Sequence, residues 1–145
     1  MDDQYRVDDP TVAHPGAVVV VVDDDVSVCR ALSRLLGSVG IRHDTYPSGA
    51  AFLESPDPAE ALCLILDVHV EEMTGARLME LMTEVAPRLP IICMTGRDDP
   101  GITDRALVSG AVGCLRKPFG EEELFDAISR ATGGSIAIES HLPLN

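Results

Sequence analysis

Short apolar runs recur along the chain, and longer segments of mixed polarity separate them. The four most apolar runs lack polar alternation, which is typical of strands that helices bury on both faces. A fifth segment, Ile41 to Tyr46, contains the polar residues Arg42, His43 and Asp44. So many polar side chains suit an edge strand better than a central one. The buried strands are predicted at Val18 to Val22, Leu62 to Leu66, Ile91 to Met94 and Val112 to Leu115.

The segments between these runs carry apolar residues at helical spacing, which predicts a helix after every strand. Three helices are expected over Val26 to Val39, near Ser48 to Glu54, and over Pro100 to Ser109. Two more are marked by apolar stripes at Leu78, Leu81, Met82 and Val85, and at Leu124, Phe125, Ile128 and Ala131. Pro87 and the Gly133-Gly134 pair are typical ends for these last two helices.

Five strands therefore alternate with five helices, joined by short connections. Such an order implies right-handed crossovers and helices on both faces of a parallel sheet. The sequence predicts a flavodoxin-like α/β fold, a doubly wound (βα)5 domain whose five-stranded parallel sheet has the strand order 2-1-3-4-5.

The 145 residues suffice for one domain with a substantial core. Residues 1–16 mix Asp, Pro, His and Gly without periodicity, so we expect a flexible N-terminal arm before a domain at residues 17–132. Residues 133–145 would be a short tail, without the length for a DNA-binding domain. The sequence thus predicts a stand-alone domain with no output domain.

Composition narrows the classes of partner and compartment. The formal charge is −13, from 24 acidic and 11 basic residues, which disfavours direct binding to nucleic acid or to an anionic membrane. The acidic N-terminus resembles neither a secretory signal nor a membrane anchor, so we expect a cytoplasmic protein. The four cysteines are scattered in apolar contexts and are predicted to be packed, reduced thiols: Cys29, Cys63, Cys93 and Cys114.

Chemistry-bearing residues follow the predicted strands: the Asp23-Asp24-Asp25 triplet, Asp67, Thr95 and Lys117. Ligands of open α/β sheets bind beyond the carboxyl ends of the strands, so these side chains should converge there. Several carboxylates in one crevice need raised pKa values or a bound cation, and Mg²⁺ suits the oxygens of Asp23, Asp24 and Asp67. Each residue alone also has an ordinary structural role, such as a helix N-cap for the triplet or a turn for Asp67.

Four motifs in order and spacing resemble those of bacterial response-regulator receiver domains of the CheY-like family. The resemblance covers about Ala17 to Thr132. The sequences of Ser48 to Leu53 and of Thr95 to Asp98 are most similar to those of receivers of the FixJ or NarL type. The motifs are Val22-Asp23-Asp24-Asp25, Leu66-Asp67, Met94-Thr95-Gly96 and Lys117-Pro118-Phe119.

The resemblance implies a signalling domain of a two-component phosphorelay, one that assists its own phosphorylation and dephosphorylation and is not an enzyme in the usual sense. Asp67 would accept a phosphoryl group from phosphohistidine or a small phosphodonor. Asp23, Asp24 and the backbone carbonyl of His69 would join Asp67 in holding Mg²⁺, while Lys117 would supply a second positive charge.

The resemblance makes Thr95 the switch hydroxyl that moves toward the phosphorylated side chain. Pro118 is expected to follow a cis peptide bond. His69 and Arg97 match variable positions that flank the phosphoryl group, so we expect both to tune its lifetime and to favour slow dephosphorylation. Two residues depart from the family pattern: Glu71 replaces a usual proline, and Cys114 replaces a frequent aromatic residue of the switch.

The implied partners are a histidine kinase or a histidine phosphotransfer protein, and a downstream protein target. The fourth helix, fifth strand and fifth helix are the expected contact face, through which a homodimer is also possible. Two alternatives stay open: a phosphorylation-independent receiver that acts as a scaffold, supported by Glu71 and Cys114, and a haloacid-dehalogenase-like phosphatase in which Asp23 would be the nucleophile.

Overall fold

The structure is a computed structural model that describes residues 18–54, 61–68, 75–96, 100–108 and 110–134. Five strands and five helices alternate along these residues, in the predicted order. They are β1 (Val19–Val22), α1 (Val26–Ser38), β2 (His43–Tyr46), α2 (Gly49–Leu53), β3 (Cys63–Asp67), α3 (Gly75–Val85), β4 (Ile91–Thr95), α4 (Pro100–Val108), β5 (Gly113–Arg116) and α5 (Glu121–Ala131). Within the described ranges, no helix is long and apolar enough to span a bilayer.

All strand pairs are parallel, and the sheet has the order β2-β1-β3-β4-β5. This arrangement confirms the predicted doubly wound flavodoxin-like fold. The strand order reverses at β1, whose neighbours are β2 and β3, and a crevice opens at such a point beyond the carboxyl ends of the strands. The register aligns Val22 with Leu66 and Asp67 with Met94, so the motif residues lie along one edge.

Alternating strand residues divide the core into two layers, because successive side chains of a strand point to opposite faces. One layer combines Leu64, Leu66 and Cys93 with Met79 and Met82 of α3. The other combines strand residues with α1 and α5, through Val19, Val21, Ile65, Leu36, Leu124 and Ile128. Burial of both sheet faces explains why the central strands read as unbroken apolar runs.

The fifth strand differs from its prediction. Its apolar residues predicted burial on both faces, but β5 is an edge strand in which only Leu115 is buried, while Cys114 is half-buried and Arg116 exposed. Val112 precedes the strand and is 57% exposed. A strand with one neighbour leaves its outer edge open to solvent, so the predicted order 2-1-3-4-5 is right about the position of β5 while its apolar pattern overstated its burial. The predicted edge position of β2 is confirmed.

Candidate functional site

The aspartate triplet after β1 divides into separate structural roles. Asp25 is the N-cap of α1, and its side chain accepts a 2.8 Å hydrogen bond from the Ser27 N–H. Asp23 is 1% exposed, and its Oδ1 accepts a 2.9 Å hydrogen bond from the Asp25 N–H. Asp24 is exposed. Asp25 thus provides the N-cap, while Asp23 is held inside the crevice.

Lys117 joins the ends of distant strands. Its Nζ lies 2.8 Å from Oδ2 of Asp23 and 3.4 Å from Oδ2 of Asp67. The Lys117 side chain is 22% exposed, against 0% for Asp23 and 7% for Asp67. The peptide bond between Lys117 and Pro118 is cis, as the sequence predicted. One ammonium therefore contacts two carboxylates whose mutual repulsion it offsets.

Burial and charge shift the pKa values of this group. Burial raises the pKa of Asp23, and the charge of Asp67 adds to the rise; hydrogen bonds from Lys117 and the Asp25 N–H oppose it without cancelling it. Burial lowers the pKa of Lys117, but its hydrogen bond to Asp23 and the charges of both carboxylates outweigh burial and raise it overall. The crevice therefore keeps Lys117 charged while it disfavours the charge on Asp23.

The carboxylates also present a set of oxygen ligands. Asp23, Asp24 and Asp67 each offer one carboxylate oxygen, and these oxygens lie within 4.8 Å of one another. Hard divalent cations take oxygen ligands, and Mg²⁺ is commonly bound by one or two carboxylates while it keeps several waters. A cation would also relieve the cost of burying neighbouring negative charges. The residues present therefore fit a Mg²⁺ site.

Thr95 ends β4 at the same edge of the sheet and is 1% exposed. Its backbone carbonyl accepts a 2.8 Å hydrogen bond from the Lys117 N–H, so the two motif residues are linked through the main chain. The structure thus brings Thr95 to the same edge as Asp23, Asp24, Asp67 and Lys117. His69, Glu71 and Arg97 lie outside the described residues.

Two features of the site region did not emerge from the sequence reasoning. A cleft of about 510 Å³ borders Asp23 and Asp24, and the arginines of α1 also line it: Arg30 and Arg34. The sequence signal for this cleft was the four-residue spacing between Arg30 and Arg34, which places both on one face of the helix that follows the aspartates. The second feature is that Cys114 pairs in register with Cys93 of β4. The sequence pattern predicted that the two strands are neighbours but not their register.

Fold and site together define an α/β protein with acidic oxygen ligands, a hydroxyl and a lysine at the carboxyl edge of a parallel sheet. Residues 19–129 match the family described as the response regulator receiver domain. The chain belongs to this family, which confirms the resemblance carried by its four motifs.

The chain is 38% identical over 115 residues to the response regulator protein TmoT of Ectopseudomonas mendocina. The match covers 79% of this chain and 52% of TmoT. It is 38% identical over 122 residues to nodulation protein W of Bradyrhizobium diazoefficiens, with coverage of 84% and 54%. The chain thus spans about half the length of these curated relatives.

Solved structures agree with this assignment. The crystal structure of FixJ-N superposes with a TM-score of 0.74 at 28% identity, and the match covers 83% of this chain and 97% of that one. The response regulator StyR superposes with a TM-score of 0.73 at 38% identity, over 81% of this chain and 59% of StyR.

Proposed function

We propose that this receiver domain accepts a phosphoryl group on Asp67 and thereby switches a protein-interaction surface. The observation that carries the proposal is the Lys117 ammonium, which lies 2.8 Å from Asp23 and 3.4 Å from Asp67 beside three convergent carboxylate oxygens. The donor would be the phosphohistidine of a histidine kinase or phosphotransfer protein, or a small phosphodonor such as acetyl phosphate.

In the proposed transfer, a carboxylate oxygen of Asp67 attacks phosphorus and forms an acyl phosphate, while the bond between phosphorus and the donor nitrogen or oxygen breaks. Asp67 has a 7% exposed side chain at the end of β3, so a donor must approach it from the crevice. Lys117 lies close enough to pair with an oxygen of the incoming group. A positioned charge of this kind stabilises the negative charge spread over the transferring oxygens.

Mg²⁺ is the proposed cofactor, held by the carboxylates of Asp23, Asp24 and Asp67, with the backbone carbonyl of His69 as a further expected ligand. When bound, the cation neutralises charge on the phosphoryl oxygens. The oxygen-only ligand set supports this choice over softer metals. Because Asp23 is hydrogen-bonded through both of its oxygens, it suits a positioning role better than that of the nucleophile in the phosphatase alternative.

Thr95 is the proposed switch, because its hydroxyl can donate to a new phosphoryl oxygen at the neighbouring strand end. Its movement would alter α4 and β5. Three apolar side chains are exposed at the end of α4 and just before β5: Leu107 at 45%, Val108 at 87% and Val112 at 57%. We assign contact with a downstream protein, and homodimerisation, to this side of the molecule. The match covers only about half of each curated relative, so the stand-alone state, the cytoplasmic location and the absence of direct nucleic-acid binding stay predictions.

His69 and Arg97 are proposed, from sequence alone, to prolong the phosphorylated state. A guanidinium and an imidazole near a phosphoryl group can hold it by charge-assisted hydrogen bonds or obstruct the attacking water. Replacement of Arg97 by Gln should shorten the half-life of phosphorylated Asp67, measured as the loss of added mass with time. An unchanged half-life would contradict this role.

The test of phosphorylation is intact mass after incubation of the chain with acetyl phosphate and Mg²⁺. We expect one added phosphoryl group, lost in Asp67→Asn and when the metal is chelated. No added mass, together with no response to beryllofluoride, would favour the scaffold alternative, which Cys114 and Glu71 suggest. Label retained in Asp67→Asn and lost in Asp23→Asn would instead support the phosphatase class.

A further inference from the structure

Two cysteines face each other across the last pair of strands. Cys93 of β4 and Cys114 of β5 are register partners in a parallel ladder, so their side chains leave the same face of the sheet. Neighbouring strands lie about 4.7–4.9 Å apart, within the Cα separation of roughly 4.4–6.8 Å that a disulfide requires. The backbone can therefore accept a covalent link between the two residues without a large movement.

The two thiols interact and differ in environment. The neighbouring Cys93 thiol lowers the pKa of Cys114 against the opposing effect of burial. The proximity of Cys114, together with burial, raises the pKa of Cys93. Cys93 is fully buried, and its thiol donates a 3.9 Å hydrogen bond to the Met79 sulfur. Cys114 is half-buried, so its thiol is the more accessible of the two.

The other cysteines provide an internal contrast. Burial raises the pKa of Cys63 to about 12, so its thiol is inert at neutral pH. Burial and the charges of two aspartates raise the pKa of Cys29. Among the four thiols, Cys114 combines access to solvent with a neighbouring thiol that can stabilise its thiolate.

We propose that Cys93 and Cys114 form a dithiol that a peroxide converts reversibly into an intramolecular disulfide. The Cys114 thiolate attacks one peroxide oxygen, the O–O bond breaks, and a sulfenic acid forms with release of water. The Cys93 sulfur then attacks the Cys114 sulfur, and a second water leaves with the sulfenic oxygen. Overall, two thiols and one hydrogen peroxide yield one disulfide and two waters, and a small dithiol reverses the link by exchange.

The disulfide would lie two residues before Thr95, on the face of the sheet that Ala106 of α4 covers. A covalent staple between β4 and β5 would restrain the strand end that carries the proposed switch hydroxyl. This regulatory effect rests on the proposed function, whereas formation of the disulfide does not.

The test is peptide mapping of the full chain after treatment with hydrogen peroxide and alkylation of the remaining thiols. Trypsin separates all four cysteines, so the disulfide should join residues 89–97 to residues 106–116 and lower the mass by two hydrogen atoms. The link should disappear with dithiothreitol and in Cys114→Ser and Cys114→Ala, and persist in Cys29→Ser. A link that involves Cys29 or Cys63, unlinked oxidation of Cys114, or no reaction would overturn the proposal.

The effect on switching is measured separately, as the rate of phosphorylation by acetyl phosphate and Mg²⁺ in the reduced and cross-linked chains. We expect a slower reaction in the cross-linked chain, restored by dithiothreitol. If the link forms but the reduced chain is never phosphorylated, the proposed function fails and the dithiol stands. If the reduced chain is phosphorylated but no link forms, the dithiol fails alone.

Discussion

At the scale of single residues, the site buries two carboxylates side by side, and the Lys117 ammonium offsets part of their charge. Its ammonium contacts Asp23 and Asp67, yet the pKa of Asp23 remains raised because burial and the Asp67 charge outweigh its hydrogen bonds. The sequence predicted which residues converge, since they follow the strands of a parallel sheet. It assigned Asp23 and Asp24 to a cation but did not say which residue of Asp23-Asp24-Asp25 caps α1, because three adjacent carboxylates differ only in the direction that the backbone gives them.

Loss of the Lys117 charge should slow phosphorylation of Asp67 strongly. In Lys117→Met, no ammonium would remain to pair with the transferring oxygens, and we expect a rate lower by about 10²-fold or more, as for other charge-stabilising groups at reaction centres. The rate of mass increase with acetyl phosphate measures this. Arg130→Ala is the matched control, since it removes an exposed cation paired with Asp126. Equal rates in Lys117→Met and the unmodified chain would contradict the role.

Neutralisation of Asp23 should stabilise the fold in the absence of a divalent cation. The folded chain holds the Asp23 proton more tightly than the unfolded chain, so this group's contribution to stability is present at low pH. That contribution is lost as pH rises from the unfolded value of 3.8 through the raised folded pKa. With a chelator at pH 7, Asp23→Asn should therefore raise Tm.

The measurement for Asp23 is Tm against pH for both chains, with and without Mg²⁺. The advantage of Asp23→Asn should shrink at acidic pH, where Asp23 is protonated in the unmodified chain. Mg²⁺ should raise Tm of the unmodified chain but not of the variant, which lacks one carboxylate ligand. An unmodified chain at least as stable as the variant in chelator at pH 7 would show that burial does not govern this carboxylate.

At the scale of secondary-structure elements, the local pattern of apolar and polar residues predicts whether a segment is a strand or a helix. It predicts less well how deeply each strand is buried in the sheet. Unbroken apolar runs identified β1, β3 and β4, whose faces are both buried. The polar load of β2 identified an edge strand. The apolar run that includes β5 favoured burial on both faces, although the predicted order 2-1-3-4-5 already placed this strand at an edge, where Gly113 and Cys114 are half-buried. The pairing of Cys93 with Cys114 depends on the register between β4 and β5, which local pattern does not give.

Substitutions of the neighbours Asp24 and Asp25 should have different effects, one on cation binding and the other on the stability of α1. Asp25→Ala removes the acceptor of the Ser27 N–H, and loss of an N-cap costs about 1 kcal/mol, equivalent to roughly 3 °C in Tm. The response of Tm to added Mg²⁺ should persist. Asp24→Ala should do the reverse, with little change of Tm in chelator and a weaker response to Mg²⁺. Thermal unfolding of both variants tests this, and identical behaviour would contradict the division of the triplet.

At the scale of the whole molecule, a chain of net charge −13 exposes three apolar side chains close together in sequence, at the end of α4 and just before β5. We call Leu107, Val108 and Val112 the α4–β5 patch. Val108 is 87% exposed, so the rest of the described chain does not cover it. Self-repulsion keeps a strongly charged protein monomeric unless a specific contact offsets it. Phosphorylation adds further negative charge, so association of the phosphorylated form requires a surface contact such as this patch.

We therefore expect the chain to dimerise through the α4–β5 patch when beryllofluoride occupies the site as a phosphoryl analogue. Val108→Asp should abolish the dimer, because each interface would bury a charge beside apolar side chains, whereas phosphorylation of Asp67 should continue at an unchanged rate. Val85→Asp is the matched control, since Val85 is 49% exposed on a different helix, α3. Sedimentation velocity with and without beryllofluoride measures the association. A chain that stays monomeric with beryllofluoride, or a dimer that survives Val108→Asp, would exclude the patch as the dimer interface.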